Sequence, residues 1–454
     1  MVSKADIVGL VYDKLMPLQS SETERAKKID AALKGAPDPL RKTQSRDVEK
    51  ATLRELSHTS LLQLIVEYTA QQLVVEGVSS GTQDTKAIFR PFEQNGLPSK
   101  QGALHRAVLS YGLAYGLTLP GRPNLWGPQV PFMRGFSPKN FGAIYADPVD
   151  DEFPMWAWRV ISQGQGNQHW RVYDDEVEHF LSVEGGTVRY LEGRKHGMGV
   201  CPVVRFGNAP DLDENVTGEP DKYRVDAARH DKTVYDRLSI QHYNSWRIRT
   251  ATKLDSTGLT PSERERIKMK LAHDDILIGE GDTEFGTLDE TNLAPMVAAQ
   301  ESDRDLLAAV SQTPVWAFNG GSMVNLSADA LVEAKSGNRQ KVWDIQRGLN
   351  RPYCNWLRLA SRAEGREKDA WNFDLIINWA DIGSQSLAAA ADALGKVAVQ
   401  LGVPVQMLWE MIPGVSHQTV ARWKDEAENH PTGDLALAAA LTRQADTSGA
   451  DLPR

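Results

Sequence analysis

Cysteine is almost absent: Cys201 and Cys354 are the only two in 454 residues, and neither has a C-x-x-C partner. That scarcity excludes a disulfide framework and a cysteine zinc site, and it suits a reducing compartment. Long apolar runs are missing too. Nowhere do about 18 apolar residues follow one another, so no transmembrane helix is expected. The opening stretch "MVSKADIVGLVYDKL" carries charge throughout its apolar pattern and has no small-residue cleavage site, so it does not read as a signal peptide. Catalytic signatures are lacking: there is no Walker A loop, no H-E-x-x-H, no G-x-S-x-G and no G-x-G-x-x-G between a strand and a helix. The ten histidines are scattered, and His105, His230 and His242 fall on polar helical patterns without the clustering expected of a catalytic or metal site. No enzyme, metal or cofactor is expected. Excess basic charge is lacking as well. Lys and Arg number 51 against 60 Asp and Glu, a net charge of −9. Tight phosphate binding needs basic patches that release counterions, so the balance points away from it, though not from a protein that DNA slides past.

What is present is ordinary soluble composition, with 41% hydrophobic and 24% charged residues, in a chain long enough for roughly two to four domains. Residues 1–50 read as an arm with one helix, "SSETERAKKIDAAL", opened by a Ser21–Glu24 capping box. "SHTSLLQLIVEYTAQQLVVEGV" has helical spacing through Leu61, Leu64, Ile65, Tyr68 and Leu73. "QGALHRAVLSYGLAYGLTLPG" reads as a second helix, with Gly112 and Gly116 allowing close approach and Pro120-Gly121 ending it. From about 141 the period changes to two, and short runs such as "PMWAWRVIS" and "GGTVRYLEG" predict a meandering antiparallel sheet in which Trp156 and Trp158 share a face. "VCPVVRF" follows as a buried strand. Tyr223–Lys253 is then one long, mostly polar helix with a narrow apolar stripe that includes Ala227, Val234 and Leu238.

Residues 254–292 form a small module of a helix and two short strands, from which "APMVAAQESDRDLLAAVSQ" returns as a helix. The stretch from Ile276 to Asp305 holds eight carboxylates (Glu280, Asp282, Glu284, Asp289, Glu290, Glu301, Asp303 and Asp305) against the single base Arg304. It lacks calcium-loop spacing, and it reads as a solvated acidic face or, on a ring, as the lining of a hole. "FNGGSMVNLSADAL" then sets two glycines before a helix of about 36 residues, about 50 Å long, capped by Ser327. Asp329 and Glu333 near its start and Arg347, Arg351, Arg358 and Arg362 near its end suit the helix dipole, and Pro352 is expected to kink it. "WNFDLIINWADIG" reads as a strand, three helical runs follow, and the chain from Pro431 reads as a loose tail.

The order of elements resembles the portal proteins of tailed bacteriophages, particularly those of the Bacillus phage SPP-one type. The resemblance lies in "LLQLIVEYTAQQLVVEGV", "HRAVLSYGLAYGL", "GVCPVVRFGN", "AVSQTPVWAFNGGSMVNLSADALVEA" and "NRQKVWDIQRGLNRPYCNWLRLA", and it runs from about residue 55 to 425. It implies an α+β fold of portal-like architecture: after the arm at 1–50, an α+β wing at 51–222, long stem helices at 223–253 and 293–313, and a small α/β clip at 254–292. A tunnel loop at 314–327, a kinked long helix at 328–365 and crown-like helices at 366–430 complete it, with the tail at 431–454. It further implies a homo-oligomeric ring, usually of twelve subunits, at the unique capsid vertex of the virion, assembled in the host cytoplasm and meeting no membrane. Double-stranded DNA would pass through its channel during packaging and ejection. Large terminase subunit, head–tail adaptor, major capsid and scaffolding proteins would be its partners. The tunnel loop touching DNA would be Asn319, Gly320, Gly321, Ser322, Met323, Val324 and Asn325. Glycine there gives φ freedom, and the polar side chains give exchangeable phosphate hydrogen bonds. Glu280, Asp282, Glu284, Asp289 and Glu290 would line the channel and keep the duplex sliding, with Lys232, Lys253 or Lys335 as passing cations. Two other readings remain open: another ring-forming virion protein, such as a tail adaptor or baseplate component, and a carboxylate-dependent hydrolase.

Overall fold

The computed structural model describes residues 3–35, 48–80, 85–121, 130–164, 166–244, 249–252, 284–287, 291–319, 335–380, 387–412, 415 and 417–429. The chain opens with α1 (Lys4–Leu10), which a wide π turn (Val11–Leu15) joins to α2 (Met16–Leu33). The capping box expected at Ser21 is instead at Ser3. Its hydroxyl accepts from the Asp6 N–H, and the Asp6 carboxylate accepts from the Ser3 N–H. Ser21 lies inside α2. Pro17, two residues after the wide turn, has no N–H to donate and crowds the turn before it.

There follow α3 (Val48–Leu56), α4 (Leu61–Ala70), β1 (Val75–Ser79), α5 (Lys86–Gln94), α6 (Leu97–Tyr111) and β2 (Leu113–Leu119). Two sequence expectations fail here. "VEGVS" is strand β1 rather than the tail of a helix, and "LAYGLTL" is strand β2 rather than the second half of one. Gly112 decides the second case. Its φ of +83° ends α6 in a left-handed cap, a conformation cheap for glycine and strained for other residues.

The wider β region comprises β3 (Phe132–Phe136), β4 (Phe141–Ile144), β5 (Trp156–Gly164), β6 (Asn167–Tyr173), β7 (Val177–Glu184), β8 (Thr187–Lys195) and β9 (Val203–Gly207). As the period-two pattern predicted, β4 to β8 form an antiparallel meander in sequence order, while β3, β2 and β9 make a separate three-stranded antiparallel sheet. Beyond them lie α7 (Glu219–Asn244), β10 (Arg249–Thr252), β11 (Glu284–Thr287), α8 (Ala294–Ser311), α9 (Val315–Phe318) and α10 (Ser336–Ala363). Last come α11 (Glu367–Ala370), β12 (Ile376–Trp379), α12 (Leu387–Leu401), α13 (Val405–Leu408) and α14 (His417–Asn429). The helix expected to continue to Lys253 therefore gives way to strand by Arg249, where threonines favour extended backbone and β11 supplies an antiparallel partner.

Contacts divide the chain into two compact units. The larger comprises Met1–Ile29, Ile65–Asp221 and Met323–Arg454, and the smaller Asp30–Leu64 and Lys222–Ser322. The five-stranded sheet of the larger unit carries a core on each face. Alternation along its strands sends Trp158, Trp170, Val172, Leu181 and Val183 to one side, where Ile7, Val11 and Leu15 pack on them, fully buried. Each such aliphatic side chain contributes about 1.5–3 kcal/mol relative to exposure. The neighbouring positions Ala157 and Tyr173 face the other way and, with Phe141, meet Tyr115, Leu117 and Val203 of the three-stranded sheet.

A third core surrounds α10. Its Tyr353 and Trp356 meet Phe92, Phe206 and Trp379 at ring separations of 4.9 to 6.3 Å. Gly116 of β2 lies directly under Trp356: a Cβ placed there would stand 2.7 Å from the indole. The close approach expected of this glycine exists, but between a strand and a helix. Cys354 is buried in α10, where its thiol donates to the Leu375 carbonyl at 3.2 Å.

Candidate functional site

In the smaller unit, α7 leads out to β10 and α8 returns from β11, and the two strands pair antiparallel from Arg249↔Thr287 to Thr252↔Glu284. The helices are fastened by charge. Asp303 of α8 accepts from Arg229 Nε at 2.9 Å and from Thr233 Oγ1 at 2.6 Å. On α7, Asp231 lies 2.9 Å from His58 Nδ1 and accepts the Thr59 N–H at 3.3 Å. Of the narrow apolar stripe expected on α7, Ala227 and Val234 are buried and Leu238 is half-buried, and α8 buries Leu307 and Ala308. Other apolar residues of these helices and of α9 are not covered: Val225 is 78% exposed, and Val297, Leu306, Val310 and Val315 are each 40 to 44% exposed.

The sequence-derived site residues divide sharply. Of the proposed loop only Asn319 is described. It ends α9 in an extended conformation, φ −126° and ψ 92°. Gly320, Gly321, Ser322, Met323, Val324 and Asn325 lie outside the described residues, as do Glu280, Asp282, Asp289, Glu290, Lys253 and the expected cap Ser327. Glu284 begins β11, opposite Thr252. Among the remaining acidic residues, Asp303 is engaged as above, while Glu301 and Asp305 are exposed. Lys232, expected as a passing cation, is bound to Asp236 one turn along α7. Pro352 lies within α10, which is helical on both sides of it. Among the described residues no three His, Cys, Asp or Glu side chains gather to hold a metal ion.

Sequence reading missed two buried charge networks of the larger unit. Lys341, in the second turn of α10, is paired with Glu219 at the start of α7. Their side chains are 9% and 2% exposed. Asn208 supports the pair by donating to Glu219 at 3.2 Å and to the Thr217 carbonyl at 2.8 Å. A lysine one turn before Ile345 on the apolar stripe was the available signal, since a buried ammonium requires a buried carboxylate. Arg358, expected to suit the helix dipole, is buried. Its Nε donates to the Ala370 carbonyl at 2.9 Å, its Nη1 reaches Asn355 at 3.1 Å and Glu152 at 3.3 Å, and its guanidinium lies 3.9 Å from the Phe373 ring centre.

His105 is equally structural. Its Nε2 lies 2.8 Å from the Tyr353 hydroxyl, and burial pushes its pKa down to about 4, so it is neutral at pH 7. Burial likewise pushes the Tyr115 hydroxyl up to about 12. Neither group is tuned for proton transfer near neutrality.

These elements describe an α+β protein whose smaller unit is built around an out-and-back helix pair ending in a two-stranded ribbon. The profile of phage portal proteins, SPP1 Gp6-like, matches residues 18–431, and the chain belongs to that family. Similar solved structures include a chain of the virion of a native gene transfer agent particle, 13% identical with a TM-score of 0.42. Another is a chain from the neck of an empty gene transfer agent particle computed with C6 symmetry, 13% identical with a TM-score of 0.43. Each alignment covers 83% of this chain and 94% of the other. No curated protein matches.

Proposed function

We propose that the protein forms the portal ring at the unique capsid vertex, the conduit through which double-stranded DNA is packaged and later ejected. It is a structural part of the virion rather than an enzyme. The observation that carries this reading is the portal-family match over residues 18–431. Uncovered Leu306 and Val310, one helical turn apart on α8, support it, because apolar residues on a narrow helix pair gain most from a neighbouring copy. In this reading twelve copies stand side by side, each contributing α7 and α8 as a stem and the 254–292 segment as a clip for the head–tail adaptor. The large terminase subunit docks on the same ring during packaging, and scaffolding and major capsid proteins surround it during assembly.

The 319–325 segment meets the passing duplex. Asn319, Ser322 and Asn325 carry no charge, so their hydrogen bonds to phosphates exchange as DNA advances. The carboxylates at 280, 282, 284, 289 and 290 repel the duplex from the wall, since DNA carries one negative charge per about 1.7 Å of axis. Negative-stain electron microscopy of the purified protein tests the proposal. Rings with a central hole are expected, and compact single particles would overturn it.

A further inference from the structure

Four strand arginines of the larger unit each lie against a phenyl ring. The guanidinium of Arg134 is 5.7 Å from the Phe132 centroid and that of Arg159 is 4.8 Å from Phe136. Arg171 and Arg194 share Phe180, at 5.1 and 5.2 Å. Strand register gathers them. Arg159 of β5 is opposite Arg171 of β6, which is opposite Phe180 of β7, and Glu178 two residues before is opposite Arg194 of β8. Neighbouring strands are about 4.8 Å apart, so the stripe crosses the sheet over about 15 Å. Residues Arg134 and Phe136 of β3 extend it at one end.

Arg134 and Arg194 are exposed, Arg159 and Arg171 are half-buried, and the charge of the stripe is balanced only in part. Arg171 pairs with Glu178 at 3.3 Å and Arg194 with Glu192 at 3.1 Å. Arg134 and Arg159 form no ion pair among the described residues. Burial, and then the neighbouring guanidiniums of Arg171 and Arg134, hold Arg159 below its ordinary range. Like charges crowded together in a chain of net charge −9 are relieved by an anion. A ring within about 6 Å on one side of each guanidinium leaves N–H groups on its other sides to donate.

We propose that the Arg134–Arg159–Arg171–Arg194 stripe contacts the phosphate backbone of double-stranded DNA, independent of sequence. The contact rests on the reading that duplex DNA is the cargo. The phenyl rings are taken up by guanidiniums, so bases have nothing to stack on and phosphates are the groups engaged. An acidic polypeptide would want an unpaired strand edge or side-chain pockets, and a stripe running across a sheet face supplies neither.

The test is fluorescence anisotropy of a short labelled duplex with the full chain, as wild type and as the R134Q/R159Q double variant, between about 50 and 200 mM salt. These two positions are chosen because removing an arginine without an ion pair orphans no carboxylate. Four phosphate contacts give a slope of log affinity against log salt of about −3.6, a loss of about 150-fold across that range. Two contacts give about −1.8 and about 12-fold. The double variant is expected to bind more weakly with the halved slope and to melt no lower than wild type. Unchanged binding, no binding by wild type, or equally tight binding of polyglutamate would each overturn the proposal. Ring formation, scored separately by microscopy, decides the conduit reading, so the two can fail independently.

Discussion

Replacing Lys341 by Met should destabilise the larger unit far more than its loss of contacts suggests. Lys341 and Glu219 are paired with side chains only 9% and 2% exposed. The variant keeps the hydrophobic stem of the side chain but strands a carboxylate where water cannot solvate it. Leaving one member of a buried pair uncompensated costs about 3–5 kcal/mol. At about 1.4 kcal/mol per factor of ten, this lowers the folding equilibrium by two to three and a half powers of ten. Glu219→Gln alone should cost a similar amount by stranding the ammonium. The double variant, neutral at both positions, should return to within about 1 kcal/mol of wild type, giving a coupling energy of several kcal/mol. Urea unfolding followed by circular dichroism, extrapolated to water, reads all four corners of the cycle. A Lys341→Met cost under about 1 kcal/mol, or a double variant as weak as the worse single, would refute the claim that an unpaired buried charge sets the penalty.

Three further outcomes follow from the packing. Gly116→Val should cost at least about 1–3 kcal/mol in the same assay, because its Cβ would stand 2.7 Å from a Trp356 ring that cannot withdraw; a cost near zero would show that β2 and α10 are not so closely apposed. Ile7→Ala should cost about 2–5 kcal/mol, since Ile7 is fully buried against the tryptophan face of the meander; a loss below about 0.5 kcal/mol would mean that α1 does not cap it. His105 has a folded pKa lowered to about 4 from an ordinary 6.5, so below pH 6.5 the unfolded chain binds the extra proton and stability falls with pH. Between pH 6.5 and 5 the wild type should lose about 1.5 kcal/mol that a His105→Gln variant does not, and parallel pH profiles would contradict the assignment.

The elements most readable from sequence were those whose periodicity is carried by many residues. The meander from Phe141 to Lys195, the returning helix α8 and the stripe of α10 through Val342, Ile345, Leu349 and Trp356 all announced themselves, and the family resemblance rested on their order. Failures came where one residue or one distant partner decides the outcome. "LAYGLTL" has small and aromatic residues at helical spacing, but Gly112 turns the chain and the β3 and β9 edges convert the segment to strand. "VEGVS" becomes β1 because it pairs with Ile376–Trp379, about 300 residues away. The Glu219–Lys341 pair spans 122 residues and carries no local signal beyond a lysine on an apolar face. Of the candidate site, the sequence marked the 319–325 segment by its glycines and the 276–305 segment by its carboxylates. It gave no hint that Asp303 is held by Arg229 and Thr233 or that Lys232 is matched by Asp236.

The central claim is that this chain is a ring subunit, and the mass of the assembled particle tests it most directly. Sedimentation equilibrium of the purified protein should give a mass about twelve times the 50.2 kDa of one chain. A mass of 50.2 kDa that persists at every concentration would contradict the account.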